Sequence, residues 1–267
     1  MKRKGARLGQ HFLVGTWAAH ALACAAGIRK NEMVVEIGPG TGVLTRELLA
    51  TGGHVVAIEK DELLADTLKA TFAENIRDNQ LEVVGDDIRN FNPARRGLAS
   101  SEYVVAANIP YYITGEIIRM FLTTSAQPRS IALLVQKEVA ERIVARDKKE
   151  SILSLSVKAY GVPKVMAKVS RGNFSPVPSV DSAILLIEHV SRDFFQNISE
   201  ETFFRVIRAG FSSKRKFLLK NLAADHGLEV VKNAFGACDI PEQIRAEDVS
   251  LEKWKCLTQQ LTEKAKG

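Results

Sequence analysis

A chain of 267 residues with 46% hydrophobic side chains is long enough to bury a full core, which excludes a disordered or fibrous protein. Lysine and arginine outnumber aspartate and glutamate by 37 to 31, and the net charge of +6 suits a polyanionic partner. The three cysteines, Cys24, Cys238 and Cys256, lie far apart with no C-x-x-C pair or histidine at ligand spacing, so no disulfide framework, zinc site or other metal centre is expected, and the implied setting is reducing and cytoplasmic.

The N-terminal "MKRKGAR" is basic and "AAHALACAAG" is apolar with small residues, which imitates a secretory leader. Gln10, His11, Trp17 and His20 interrupt the apolar stretch, and no run approaches the ~18 apolar residues of a spanning helix. Residues 16–28 therefore read as an amphipathic helix packed on the domain, and no membrane association is expected. Short β-rich runs follow at 33–37, 54–59, 81–84, 103–107 and 131–136, separated by helical patterns at 43–51, 62–74 with Asp61 as cap, and 115–124. This alternation predicts an α/β fold, a parallel Rossmann-like sheet covered by helices, with ligands at the carboxyl ends of the strands. Strand signals in "PKVMAKVS" and "SAILLIEHV" extend the sheet, and beyond about residue 191 every segment has helical spacing. The expected division is a catalytic domain over 1–190 and a small all-helical domain over 191–267.

Chemistry concentrates where strands end. In "VVEIGPGTGVL" the glycines Gly38, Gly40 and Gly42 form G-x-G-x-G rather than the G-x-G-x-x-G of dinucleotide sites, with Glu36 just before them. Pro39 removes an N–H from a loop that would otherwise cradle phosphate, so a ligand without phosphates is favoured. Glu59 ends the second strand, where an acid accepts hydrogen bonds from ribose hydroxyls. "GDDI" follows the third, where Asp86 or Asp87 can accept from an adenine amine while Ile88 lies against the ring. A glycine loop, a ribose acid and an adenine acid at successive strand ends describe an adenosine ligand lacking phosphates, for which S-adenosylmethionine is the candidate.

"NIPYY" at the end of the fourth strand then acquires a purpose. An adenine N6 amine is a poor nucleophile because its lone pair is delocalised into the ring. The Asn108 side-chain oxygen and the carbonyl of Ile109 or Pro110 can accept its two hydrogens and aim the lone pair at a methyl carbon, so position and hydrogen bonding replace a strong base. Tyr111 offers a face for stacking an extruded base.

"LGQHFL" (8–13), "EIGPGTG", "AIEKD", "GDDI", "NIPYY", "NFSPVPSVDSA" (173–183) and "RAGFSSKRKFLLKNL" (208–222) occur in the order and spacing of one family. Over nearly its whole length the chain resembles the small-subunit (16S) ribosomal RNA adenine N6-dimethyltransferases, which dimethylate two adjacent adenines in a hairpin near the 3′ end of that RNA. The resemblance implies that His11 and Leu13 contact the methyl donor, that Gly38, Gly40 and Glu59 hold its methionine and ribose parts, that Asp87 and Ile88 meet its adenine, and that Asn108 belongs to both pockets. It implies that Phe174 closes over the substrate base opposite Tyr111. Lys214, Arg215 and Lys216, with Lys220 one turn later, form a phosphate-facing patch joined by Lys2, Arg3, Lys4 and Arg7. The partners implied are the RNA and the immature small subunit, met by a monomer.

Two other readings fit parts of the chain. Adenine dimethylases of large-subunit RNA that confer macrolide resistance share the catalytic motifs, although the long "FSSKRK" match favours the small-subunit type. A mainly non-catalytic role in ribosome assembly is the second. A DNA adenine methylase fits less well, since its motif carries Asp and a double proline where this chain has Asn108, Ile109 and Pro110.

Overall fold

The computed structural model describes residues 11–263. The basic residues Lys2, Arg3, Lys4 and Arg7 lie outside that range. The described residues fall into two compact units, one holding those up to 140 together with 161–191 and the other holding 141–160 together with those from 192 onward.

The first unit is built on a seven-stranded sheet whose strands are, in chain order, β2 (Met33–Ile37), β3 (His54–Glu59), β4 (Leu81–Gly85), β5 (Tyr103–Asn108), β6 (Ser130–Gln136), β7 (Val162–Val169) and β9 (Ser182–Glu188). A separate two-stranded pair joins β1 (Phe12–Leu13) to β8 (Phe174–Ser175), with Leu13 opposite Phe174. The large sheet runs β4-β3-β2-β5-β6-β9-β7; β2 to β6 pair in parallel, and β9 is antiparallel to both its neighbours. Its central strands are almost continuous apolar runs because both faces are covered, as parallel sheets require.

Helix α1 (Thr16–Ala26) buries Ala18, Ala19, Leu22, Ala23 and Ala26, one stripe at helical spacing, and stops at Gly27 in the left-handed region. The crossovers are α2 (Val43–Ala50), then α3 (Glu62–Thr71) with α4 (Ala73–Arg77), and α5 (Thr114–Thr123). Asp61 caps α3 by accepting from the N–H groups of Leu63 and Leu64. The pattern over 62–74 predicts one helix, whereas the chain breaks at Phe72, whose φ of −111° and ψ of 29° leave the helical region. The Phe72 ring is buried against the glycine loop instead. From β2 the chain moves outward to β3 and β4 and then returns across β2 to β5. That reversal opens a crevice at the carboxyl ends of β2 and β5.

The second unit holds α7 (Ile152–Lys158), α8 (Glu200–Gly210), α9 (Leu218–His226), α10 (Leu228–Ala237) and α11 (Leu251–Glu263), while α6 (Lys137–Val144) spans the boundary at Ala140. Among the described residues after 191 there is no strand. Phe203, Ile207, Leu218, Phe235, Trp254 and Leu257 form its core. Here the single boundary expected at 190/191 needs correction. Leu155 and Ala159 belong to this core, and Lys149 forms ion pairs with Glu247 and Asp248, so the 141–160 excursion is part of the helical unit.

The expectation of no disulfide is also overturned, since Cys238 and Cys256 are bonded, with Cα atoms 5.8 Å apart. Packing of α10 on α11 brings together two positions 18 residues apart, which their spacing alone does not reveal. Cysteine usage therefore no longer argues for a reducing compartment. No helix among the described residues is long and apolar enough to cross a membrane.

Candidate active site

Four strand ends converge on the crevice. After β2, Gly38, Gly40 and Gly42 have φ of 62°, 59° and 80°, all in the left-handed region that side chains rarely adopt. The space where a Gly38 side chain would project is open, so backbone can approach a ligand there. At Gly42 the opposite holds: a Cβ would lie 2.6 Å from the Phe72 ring.

Glu59, at the end of β3, is 4% exposed rather than solvated. Its Oε2 accepts from the Gly40 N–H at 3.0 Å and its Oε1 from the Asp61 N–H at 3.0 Å. The carboxylate thus fixes the glycine loop relative to α3, and each oxygen keeps a second lone pair for a ribose hydroxyl. After β4, Asp87 accepts from Lys60 Nζ at 2.8 Å and from the Arg89 N–H at 3.0 Å. The Lys60 hydrogen bond is the largest of the causes that hold its carboxyl below the usual range. Asp86 is turned elsewhere, accepting from the Asp87 N–H and the Asn90 amide, while Ile88 is buried beside them.

At the end of β5, Asn108 Nδ2 donates to the His11 carbonyl at 3.2 Å. A carbonyl can only accept, which fixes the amide orientation and leaves Asn108 Oδ1 as the free acceptor. The Pro110 carbonyl already accepts from the Ile113 N–H at 3.2 Å, so the Ile109 carbonyl is the less committed second acceptor. Tyr111 is half-buried, its hydroxyl 2.8 Å from Ser182 Oγ, and burial pushes its phenol up. The His11 ring stacks on Tyr111 at 5.8 Å and 30°, and its Nδ1 hydrogen-bonds the Pro176 carbonyl at 2.7 Å. Since that partner only accepts, His11 Nδ1 carries the proton. His11 thereby ties β1, the end of β5 and the 174–176 segment into one wall.

Phe174, expected to close over the substrate base, is turned inward. Paired to Leu13 across the short sheet, it is 2% exposed and packs in the core with Leu13 and Val169. The residue before it contributes through backbone: the Asn173 carbonyl accepts from the Val14 and Gly15 N–H groups. Sequence reasoning missed Thr45, Ser182 and Asn173, because a single hydroxyl or carbonyl partner carries no spacing signal. Leu13 does line the small cavity between the glycine loop and Asn108, together with Phe12, Glu36, Pro39 and Thr41.

In the helical unit, Lys214, Arg215 and Lys216 occupy an exposed loop before α9 and Lys220 is exposed in that helix's first turn. Asn221 pins the loop by donating to the Gly210 and Ser213 carbonyls at 2.6 and 3.0 Å. Phe217, 40% exposed, adds an aromatic face beside the cations.

Over most of its length the chain is similar to several named proteins. A protein from Dehalococcoides mccartyi named ribosomal RNA small subunit methyltransferase A is 39% identical over 96% of this chain and 87% of its own length. The protein of the same name from Moorella thermoacetica is 38% identical over 95% and 91%. A solved dimethyladenosine transferase from Plasmodium falciparum superposes with a TM-score of 0.78 at 25% identity, covering 96% of this chain and 98% of that one. The 23S rRNA methyltransferase ErmE also reaches a TM-score of 0.78, at 24% identity over 94% and 99%, which is a likeness of fold. The model of the ribosomal RNA adenine dimethylase family matches residues 1–263, and the chain belongs to that family.

Proposed function

We propose that this protein dimethylates the N6 amines of two adjacent adenines in the 3′-terminal hairpin of small-subunit ribosomal RNA. The observation that carries the reading is the fixed Asn108 amide, whose only uncommitted oxygen stands at the end of β5 beside the glycine loop. S-adenosylmethionine would supply an electrophilic methyl group on a cationic sulfur. The protein's residues fit such a donor: the open space at Gly38, the Glu59 carboxylate for ribose, and Asp87 with Ile88 for adenine.

Asn108 Oδ1 and the Ile109 or Pro110 carbonyl accept the two amine hydrogens, which turns the lone pair out of the ring plane and stabilises charge developing on nitrogen. Tyr111, held by Ser182 and His11, supplies a fixed face for the base. Phe174, paired with the cavity-lining Leu13, supports that wall from behind. Lys214, Arg215, Lys216 and Lys220 meet backbone phosphates, and the fold of the RNA rather than a linear code is what they recognise. In this reading the protein works in the cytoplasm, as a monomer, on immature small subunits. The named relatives are small-subunit enzymes, which favours this substrate over large-subunit RNA.

The test is incubation with labelled donor and separately purified, unmethylated small and large subunits, followed by nucleoside analysis. Label in N6,N6-dimethyladenosine from the small subunit alone is expected. Label in the large subunit would overturn the substrate, and no transfer to either would overturn the activity.

A further inference from the structure

The outer face of α1 carries a side-chain cluster that neither the donor pocket nor the base pocket uses. Trp17, His20 and Cys24 fall on one side of the helix by their spacing, away from its stripe of buried residues. All three are exposed, and Trp17 shows 56% of its surface. Cys24 is the chain's one free thiol, because its two other cysteines, Cys238 and Cys256, are bonded to each other. Glu47 reaches the cluster from the neighbouring α2.

His20 Nδ1 lies 2.9 Å from Glu47 Oε2, and Nε2 of the same ring lies 3.5 Å from Cys24 Sγ. The carboxylate only accepts, so Nδ1 carries the proton and Nε2 turns its lone pair to the thiol. A nucleophile, a base within its reach and a carboxylate that orients the base are thus arranged in series, as thiol activation requires. Glu47 holds the far ring nitrogen, so the three groups do not converge on one point. No group of three or more side chains that could hold a metal occurs among the described residues, which leaves proton transfer rather than metal ligation as the chemistry of the cluster. Within hydrogen-bonding reach of the thiol the titratable partner is His20, and through it Glu47.

We infer that Cys24 is a modification site, a base-assisted thiol that exchanges with low-molecular-weight disulfides bearing an apolar or aromatic group. His20 Nε2 takes the thiol proton, and Glu47 holds the imidazolium so formed. The Cys24 sulfur then attacks one sulfur of the reagent: the new S–S bond forms as the reagent's own S–S bond breaks, and the departing thiolate takes the proton from His20. One disulfide is consumed, one mixed disulfide and one thiol are made, and no further oxidant is needed. Trp17, about 10 Å from Cys24 along the helix axis, gives the apolar part of such a reagent a face to lie on.

The probe is 2,2′-dithiodipyridine, an uncharged aromatic disulfide whose released thione is followed by absorbance, applied to the full chain with its Cys238–Cys256 bond intact. One equivalent per chain is expected at pH 7, with peptide mapping placing the mixed disulfide on Cys24. His20→Ala and Glu47→Gln should each react at least about tenfold more slowly. At pH ~10, above the ordinary thiol value of about 8.5, thiols ionise without help, and both variants should match the wild type. Trp17→Ala should slow the aromatic reagent more than uncharged hydroxyethyl disulfide. Variants as fast as the wild type at pH 7, a deficit that persists at pH ~10, or modification at another residue would overturn the inference. Equal effects of Trp17→Ala on the two reagents would overturn the class of disulfide assigned.

Discussion

Replacing Asn108 with alanine tests the centre of the mechanism. The change deletes the Oδ1 acceptor and also the Nδ2 donor that holds the His11 carbonyl at 3.2 Å. A hydrogen bond to a group gaining charge is worth about 1.5 to 3 kcal/mol, which predicts a loss of roughly tenfold to hundredfold in the methyl-transfer rate. The freed His11 carbonyl is only half-buried and can be rehydrated, so the stability loss should stay near 1 kcal/mol. Single-turnover transfer of label to unmethylated small subunits, run beside sedimentation of the protein with those subunits, separates chemistry from docking. A rate within about twofold of wild type would refute the aiming role, and parallel losses of rate and docking would show that Asn108 is structural.

Three further outcomes follow from neighbouring geometry. Gly42→Ala should destabilise the first unit by about 1 to 3 kcal/mol, because φ is 80° and the new Cβ would meet Phe72 at 2.6 Å; an unchanged unfolding midpoint would refute this. Glu36, raised from 4.5 to about 8 in the folded chain, keeps a proton that the unfolded chain gives up. Its contribution to stability is therefore full below pH 4.5 and falls by about 1.4 kcal/mol per unit as pH rises toward 8. Glu36→Gln should lack that slope, and parallel urea-unfolding curves for the two proteins across pH 5 to 8 would contradict the assignment. Reversing Lys214, Arg215 and Lys216 to glutamate should weaken RNA association and lower the slope of affinity against salt by about three phosphates' worth while sparing donor binding; donor binding lost in step would indicate misfolding instead.

Much of the first unit was legible because its physics is local. "MVVEI" and "HVVAIE" form strands over the residues their β-branched runs mark, and the G-x-G-x-G stretch forms the tight loop at the end of the first of them. What could not be read is non-local. Phe12 and Leu13 pair with Ser175 and Phe174 across more than half the chain, and two-residue strands have no period to detect. That pairing turns Phe174 inward, so a motif that names the residue does not give its exposure. The 141–160 segment has ordinary amphipathic spacing, and only the apolar surface offered by Phe203 and its neighbours determines which unit claims Leu155. The same applies to Cys238 and Cys256, brought within bonding reach by helix packing.

Two carboxyls at adjacent strand ends show how far environment, rather than residue type, sets what a site can do. Glu59 and Glu36 are both buried, yet Glu59 accepts from two backbone N–H groups and Glu36 from a single hydroxyl. The charge on Glu59 is itself one cause of the raised Glu36, so the two acids are coupled through the loop they flank. Neutralising that coupling requires positive charge, and the described lining of the cavity supplies none. A ligand carrying cationic groups fits such a place better than a neutral nucleoside would, because it relieves a repulsion already built into the fold. Pro39 removes one N–H from the glycine loop, which disfavours phosphate, while the paired acids favour a cation. Two independent features of the sheet's carboxyl edge therefore select the same class of adenosine ligand.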